Sequence, residues 1–525
     1  MPKKSFIAAV LALALVAPGH QALADAQHAR IGVRTEAASI DPHFSYVATS
    51  KAMVTNIFDT LIERDPDLRL TPALATEWTY LGDSVWQFKL REGVKWHDGE
   101  PLTVDDVLFT FERAPNVPNS PAPFGQFLSQ IERAEKVDDL TFTIKTRNPS
   151  PQLLFDLAEV PIVSEHVGKD AKTEDYNSGK AAVGTGPFKF VSWTPGEALE
   201  LARNDDYWAG PSEFETLSQI PITNDAARLA ALLSGGIDLM DAVPPDAVER
   251  LKADEDINVW MTTDVYTAYL HMDTDREVTP FITAKDGSQI PNPLLDKRVR
   301  EALAIAVDRE AIIDRLMFGL GEPAGQLASK TMVGYNPELE PSPYDVARAK
   351  ELLAEAGYPD GFKMTLHGPN NRYVADAAIV QALAQMFERI GIAVAVETMP
   401  ANVFFSRGSA QEFSIFFIAW GSAQGTAWHG LRGVLMTYDK DQGYGPSNRG
   451  RYSNPEVDRL TVAAMSTFDL DEAARLASEA AKVAFEDFAV IPLHYQMNVW
   501  ASRDGFVYKA RQDQMTLGYG LGLEK

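Results

Sequence analysis

The alternation of apolar and polar positions changes period along this chain, from two residues per repeat to the helical 3.6 and back. Trp86, Phe88 and Leu90 alternate with Gln87, Lys89 and Arg91, the period of a strand with one face in a core. A second, short strand is expected around Val94 and Trp96, then a turn at His97-Asp98-Gly99, where glycine supplies the positive φ that a tight turn needs. Thr103 and Asp106 frame a capping box, and Val107, Leu108 and Phe111 open an apolar face at helical spacing. The lone His-Asp pair before glycine reads as turn chemistry rather than a metal or acid/base site.

Either side of this stretch the same reading extends. His28 to Glu36 forms a strand, Ser39 to His43 a turn, and Val47 to Ile62 an amphipathic helix with Val54, Ile57, Phe58 and Leu61 inward. Ile131–Val137 and Leu140–Thr146 pair as a hairpin. Gly184 to Gly210 holds two strands, the second with Leu199 and Leu201 on one face, and no helix start follows Gly184-Thr185-Gly186, so that triplet is not a phosphate loop. Asp225–Leu233 is a helix stopped by Gly235-Gly236, and Ile257–Met272 is rich in strand formers. Beyond Asp273, helices at Lys297–Val307, Tyr344–Ala356 and Asp376–Ile390 alternate with strands at Phe362–Leu366, Ala393–Glu397 and Phe413–Trp420. That alternation predicts a largely parallel sheet covered on both faces. A helix over Glu472–Phe488 and a strand over Val490–Ala501 close the pattern.

Composition narrows the class. At 525 residues, 45% hydrophobic and 23% charged, the chain has length for two or three cores. Its net charge of -25 argues against nucleic acid or an anionic membrane as main partner. With no cysteine there is no disulfide, thiolate metal site, cysteine nucleophile or lipoprotein acylation. Lys3 and Lys4, the apolar run Phe6–Ala17 and Ala22-Leu23-Ala24 make residues 1–24 a Sec-type signal peptide, cleaved after Ala24, whose run is too short to span a bilayer. Its removal takes two lysines and no acid and leaves -27. The mature protein is expected in the periplasm, soluble and not membrane-inserted.

The words LREGVKWHDGEPLTVDDV at residues 90–107 and GTGPFKFVSWTPGEALELARNDDYWAG at 184–210 resemble signatures of the extracytoplasmic solute-binding proteins of the peptide, nickel and opine transport family (solute-binding family 5). VIPLHYQMNVWA at 490–501 resembles that family's strand re-entering the first lobe, and the motifs fall in the family's order. The resemblance implies an α/β, periplasmic-binding-protein-like fold of class II or cluster C: a two-lobed Venus-flytrap clamp with an additional peripheral lobe. It places the core lobe I at residues 25–64, 184–272 and 488–525, the peripheral lobe II at 65–183, and lobe III at 273–487. It further implies a monomeric periplasmic component of an ABC importer, without cofactor or catalysis, which delivers a peptide or peptide-like solute to a membrane permease.

Open parallel sheets bind ligands beyond the carboxyl ends of their strands. Phe413–Trp420 runs into GSAQGTAWHGLRG, so Trp420, Gly421, Ser422, Trp428 and Arg432 are ligand-binding candidates; the alternative is a core Trp420 and a surface Arg432. Tyr46 is added because the resemblance puts its turn near the cleft. Tyr444, Arg449 and Arg451, in the glycine-rich stretch Gly443–Tyr452, suit an anionic or polyhydroxylated ligand, the alternative being a solvated loop, whereas a Walker loop would need Lys and Ser/Thr where Arg451 and Tyr452 stand. Peptide-binding members of the family usually carry an aspartate just after the equivalent Trp-Gly. Here Ser422 to Thr426 follow, which keeps a non-peptide ligand in view: an opine, sugar phosphate, organic acid, or nickel or haem complex. A metal complex would need His429, His43 or His494 to converge. The chain has no HExxH, GxSxG or GxxxxGK[ST] motif, so a secreted hydrolase is the remote alternative and no catalytic or metal residue is nominated.

Overall fold

Two long strands, Ile257–Met272 and Ile491–Arg503, run antiparallel through the centre of a twelve-stranded sheet and belong to both halves of the molecule. A computed structural model describes residues 28–422 and 424–525, so the expected signal peptide lies outside the described residues. At one end, Ile257, Val499 and Ala501 join a core with Leu232, Ile237 and Leu251. At the other, Leu270, Met272, Ile491 and Leu493 join a core with Leu303, Leu366, Leu383 and Phe417.

Flanking strands are parallel within each half. His28–Val33 lies between Thr216–Pro221 and Leu239–Met240, and Lys363–Pro369 between Ala393–Met399 and Ile415–Gly421, all in parallel register. In the half beyond Asp273 these parallel pairings are the ones that alternating helices and apolar runs predict. Between the halves the ladder of the two long strands breaks. Thr263 pairs with Met497 and Thr267 with Tyr495, leaving Asp264, Val265 and Tyr266 opposite the single residue Gln496. Such a bulge bends the strand and re-aims its side chains.

The peripheral sheet is antiparallel: Ala75–Gly82, Val85–Leu90, Thr141–Thr146 and Ile131–Lys136. Trp86, Phe88 and Leu90 are buried together with Val104 and Val107 of the helix Val104–Arg113. The capping box forms, with the Thr103 amide donating to the Asp106 carboxylate at 2.9 Å.

Two expectations are corrected, and three helices are added. The short strand at Val94 and Trp96 is an isolated bridge between Lys95 and Pro101, because turns at Gly93 and Gly99 (φ +76° and +100°) leave too few extended residues. The helix expected over Val47–Ile62 is Ala48–Val54. Asn56 donates its side-chain amide to Ala52 and Met53 carbonyls, and the carbonyls of Asn56 and Ile57 accept from Phe188 and Gly186. A Cβ at Gly184 would lie 1.8 Å from the Ile57 oxygen, so this triplet permits a backbone-to-backbone approach. Helices at Arg309–Leu316, Ala401–Ser409 and Pro455–Ser466 were not anticipated. Among the described residues no helix is long and apolar enough to cross a membrane.

Candidate ligand-binding cleft

A cavity of about 650 Å³ opens over the bulge. Its floor is Asp264, Tyr266 and the segment 496–500 of the second long strand. Arg34 and Thr35, just past the carboxyl end of His28–Val33, form one wall with the helix start at 47–49 and the turn at 241–245. Residues 371–374, just past Lys363–Pro369, form the other. Each wall is thus the carboxyl end of a parallel strand, where helix starts and loops converge.

The charges of the cleft differ in how far they are engaged. Asp264 is 2% exposed. Its Oδ2 accepts from Gln514 Nε2 at 2.7 Å, while no hydrogen bond reaches Oδ1. Burial pushes its carboxyl up to about 7, opposed by Gln514, the Val265 and Tyr266 amides and Asn498. Asp241, raised to about 6 by burial, accepts from the Arg34 amide at 2.8 Å. The wholly buried Arg228 lies 3.5 Å from Asp241 and 2.7 Å from Asp225, and donates to the Ile222 carbonyl. The guanidinium groups of Arg34 and Arg372 are exposed and form no ion pair among the described residues. Arg372 instead lies 5.1 Å from the Tyr373 ring and 5.7 Å from that of Tyr266.

None of the nine residues singled out from sequence is among those lining this cavity. Tyr46 directs its ring against Phe124 and Phe127, one residue before the wall at Val47. Gly421 pairs with Tyr266 and borders the cleft through it; a Cβ there would lie 2.8 Å from the tyrosine ring. Ser422 donates its amide to the Val265 carbonyl and its hydroxyl to Thr426, which holds the bulge from behind.

Trp420 lies against His429, with ring centroids 5.0 Å apart, and over Gly433. Trp428 is buried, donates Nε1 to Gln152 at 3.1 Å and meets Phe155 edge-on, both residues of the peripheral region. Exposed Arg432 acts at a distance: after burial, its charge and that of Arg64 keep His429 near 4. Tyr444 exchanges backbone bonds with Asp439, and Arg451 sits 3.8 Å over the Tyr438 ring.

The histidines do not converge. His43 bonds the Pro161 carbonyl at 2.7 Å, His429 faces Trp420, and His494 pairs in the ladder with Ala268. Among the described residues no group of three His, Cys, Asp or Glu stands where a metal could be held.

Sequence reasoning passed over Arg34, Asp264, Tyr266 and Arg372. A signal existed for two of them. Arg34 and Arg372 follow carboxyl ends of parallel strands, the same rule that singled out the loop after Trp420.

The fold and cleft define a two-lobed solute-binding clamp. The model of the bacterial extracellular solute-binding proteins, family 5 middle, matches residues 69–442, and the chain belongs to that family. It is 28% identical over 500 residues to the glutathione-binding protein GsiB of Salmonella paratyphi A, covering 92% of each chain. Among solved structures it resembles the murein-tripeptide-binding protein MppA in its unliganded open form, with TM-score 0.81, 21% identity and coverage of 95% and 97%. It also resembles DppA from Helicobacter pylori in complex with the peptide STSA, with TM-score 0.70, 25% identity and coverage of 96% and 100%. The chain is therefore a solute-binding component of an ABC importer, a transport protein and not an enzyme. Its structural relatives are periplasmic binding proteins.

Proposed function

We propose that this chain captures a small peptide or peptide-like solute in the cleft over the bulge and delivers it, from the periplasm, to an ABC membrane permease. The carrying observation is the placement of a cavity of about 650 Å³ between walls from two cores that are joined by the two long strands. That volume suits a solute of dipeptide to tripeptide size, and the glutathione-binding relatives support the upper end of that range.

Lobe I at residues 25–64, 184–272 and 488–525 and lobe III at 273–487 are proposed to close about the bulge, with lobe II at 65–183 carried alongside. No bond is broken. The ligand touches both walls only when they approach, so its differential affinity shifts the population toward the closed form that a permease recognises. Gly421 and Ser422 are proposed to shape the cleft by fixing Tyr266 and Val265.

A thermal-shift screen of residues 25–525 against glutathione, dipeptides, tripeptides, opines, sugar phosphates, carboxylic acids, haem and nickel-histidine tests this. A ligand at about a hundred times its Kd adds about 2.7 kcal/mol of stability and raises Tm. Peptides should shift Tm. A response confined to haem or nickel-histidine would sink the peptide reading while keeping the transport role.

A further inference from the structure

We propose that one wall of the cleft contains a side pocket, behind Thr35 and Thr49, that receives a single small uncharged side chain of the solute: a methyl, hydroxymethyl or mercaptomethyl group. The inference rests on the solute-binding reading and adds to it which side chains the solute can carry.

A second void, of about 40 Å³, lies beside the large cavity. Thr35, Thr49, Asp241 and Gln514 line both, so the two spaces share a neck. The rest of the lining comes from residues 33–53, 193–221 and 516, with none from the opposite wall at 371–374 or the floor at 496–500. Its sides are fixed in advance. Trp193 donates Nε1 to Glu36 at 3.1 Å, and Glu36 also takes the Gly196 amide at 2.9 Å. Gln219 donates Nε2 to the Thr516 carbonyl at 3.4 Å, and the Thr516 hydroxyl accepts from buried Trp500 at 2.9 Å. The pocket is therefore complete in one wall and does not wait for the other to approach.

Size and charge choose the occupant. A water takes about 30 Å³ of the liquid, and a cavity that admits benzene measures about 150 Å³. A void of about 40 Å³ thus holds one or two heavy atoms and no ring or branched chain. Val33, Met53, Leu199 and Pro221 make its surface largely apolar. Both acids of the lining are engaged: Glu36 by Trp193 and Gly196, and Asp241 by the Arg34 amide at 2.8 Å and by Arg228 at 3.5 Å. They leave no unpaired charge to draw in a cation, and they repel an anion. A side chain too large for the pocket holds the solute off this wall. The solute then touches both walls less well when they close, and loses the differential affinity that drives closure.

The test has a binding arm and a solute-independent arm, both on mature full-length chain. Calorimetry uses glutathione analogues of the form γ-glutamyl-Xaa-glycine, and triglycine carrying Xaa at each position in turn. Xaa is alanine, serine, cysteine, leucine or phenylalanine. In at least one series the three small side chains should bind about tenfold or more tighter than leucine and phenylalanine. Met53→Ala deepens the pocket and should improve the leucine member of that series by about tenfold. Equal binding of all five in every series that binds, or no gain for leucine in folded Met53→Ala, overturns the pocket and leaves the solute-binding reading intact.

The second arm follows the isotope-labelled methyl group of Met53 by NMR, its signal assigned by its loss in Met53→Leu, with methanethiol as the probe. Methanethiol should move the signal, toluene should not, and Ala52→Leu, which fills the void, should abolish the response. A signal unmoved by methanethiol means a void that holds water only and overturns the pocket whatever the peptides do. If Met53 responds as expected while no peptide series binds, the pocket stands and the peptide reading falls.

Discussion

Two segments lie side by side beneath the cleft and behave oppositely. The bulge Asp264–Tyr266 and the loop that follows Gly421 are joined by the Ser422 amide donating to the Val265 carbonyl. Both carry buried polar atoms without partners: Asp264 Oδ1 at the bulge, and Thr426 Oγ1 and His429 Nδ1 on the loop, with Trp420 Nε1 at the strand end that leads into it. What separates them is room. The bulge faces a cavity of about 650 Å³, whereas the void beside Ala427 and Leu431 is about 10 Å³, no more than one water. An unsatisfied polar atom marks a ligand site only where there is space for the partner. On the loop the same feature records dense packing, with Gly425 against Leu68 and Trp428 against Phe155.

The largest expected effect tests the packed side. Trp428→Ala empties a buried indole site and removes the donor to Gln152 Oε1. It should cost about 3–5 kcal/mol in urea unfolding, while the protein still folded binds its solute within about threefold of wild type. A stable variant that no longer binds would make the loop part of the site and erase the contrast.

Next comes the open side, through pH. Asp264 titrates in the folded state near 7, above its ordinary 3.8. A raised carboxyl pKa means the folded state holds a proton that the unfolded chain has lost, so this group lowers stability progressively from about pH 4 to about pH 7 and no further above that. Below pH 4 it is protonated in both states and contributes nothing. Asp264→Asn removes the dependence, so its stability relative to wild type should rise across that window by up to roughly 4 kcal/mol. Parallel stability curves for the two proteins between pH 4 and 8 would mean that the carboxyl is solvated and the floor is not a desolvated surface.

A smaller effect probes how tightly the loop holds Trp420. A Cβ at Gly433 would lie 2.6 Å from that ring. Gly433→Ala should therefore cost roughly 1–3 kcal/mol as the indole shifts, read as a lower urea midpoint at unchanged slope. No loss of stability would show that the ring has freedom to turn and that space exists where the loop is read as full.

Legibility followed the range of the interactions. The strand Val85–Leu90 and the capping box at Thr103 and Asp106 depend on neighbours a few residues away, and both were readable. The end of the helix at Val54 was not, because the residues taking the Asn56 and Ile57 carbonyls lie at 186–188. Nothing in Thr263 to Thr267 announces a bulge, since it is defined by the register of a strand more than two hundred residues later. The rule of strand carboxyl ends describes both walls of the cleft. It was applied after Trp420, and Trp428 looked free because its partner Gln152 is 276 residues distant in the chain. The same rule at Pro369 leads directly to Arg372.

The smallest expected effects concern the two arginines that sequence reasoning offered as anion anchors. Arg432 is exposed and Arg451 rests on the Tyr438 ring, and neither lines the cleft. Arg432→Ala should change stability by less than about 0.5 kcal/mol. Arg451→Ala loses the ring contact and relieves nothing at its own backbone, where φ is +57°, so it should cost about 0.5–1 kcal/mol. Neither should alter affinity for an acidic solute by more than about twofold, because neither side chain lines the cleft. Calorimetry on the two alanine variants with one acidic ligand checks this, because the charge lost from a protein of net -25 is the same in both and only position differs. A loss of affinity in either variant would move the anion out of the cleft and onto that arginine.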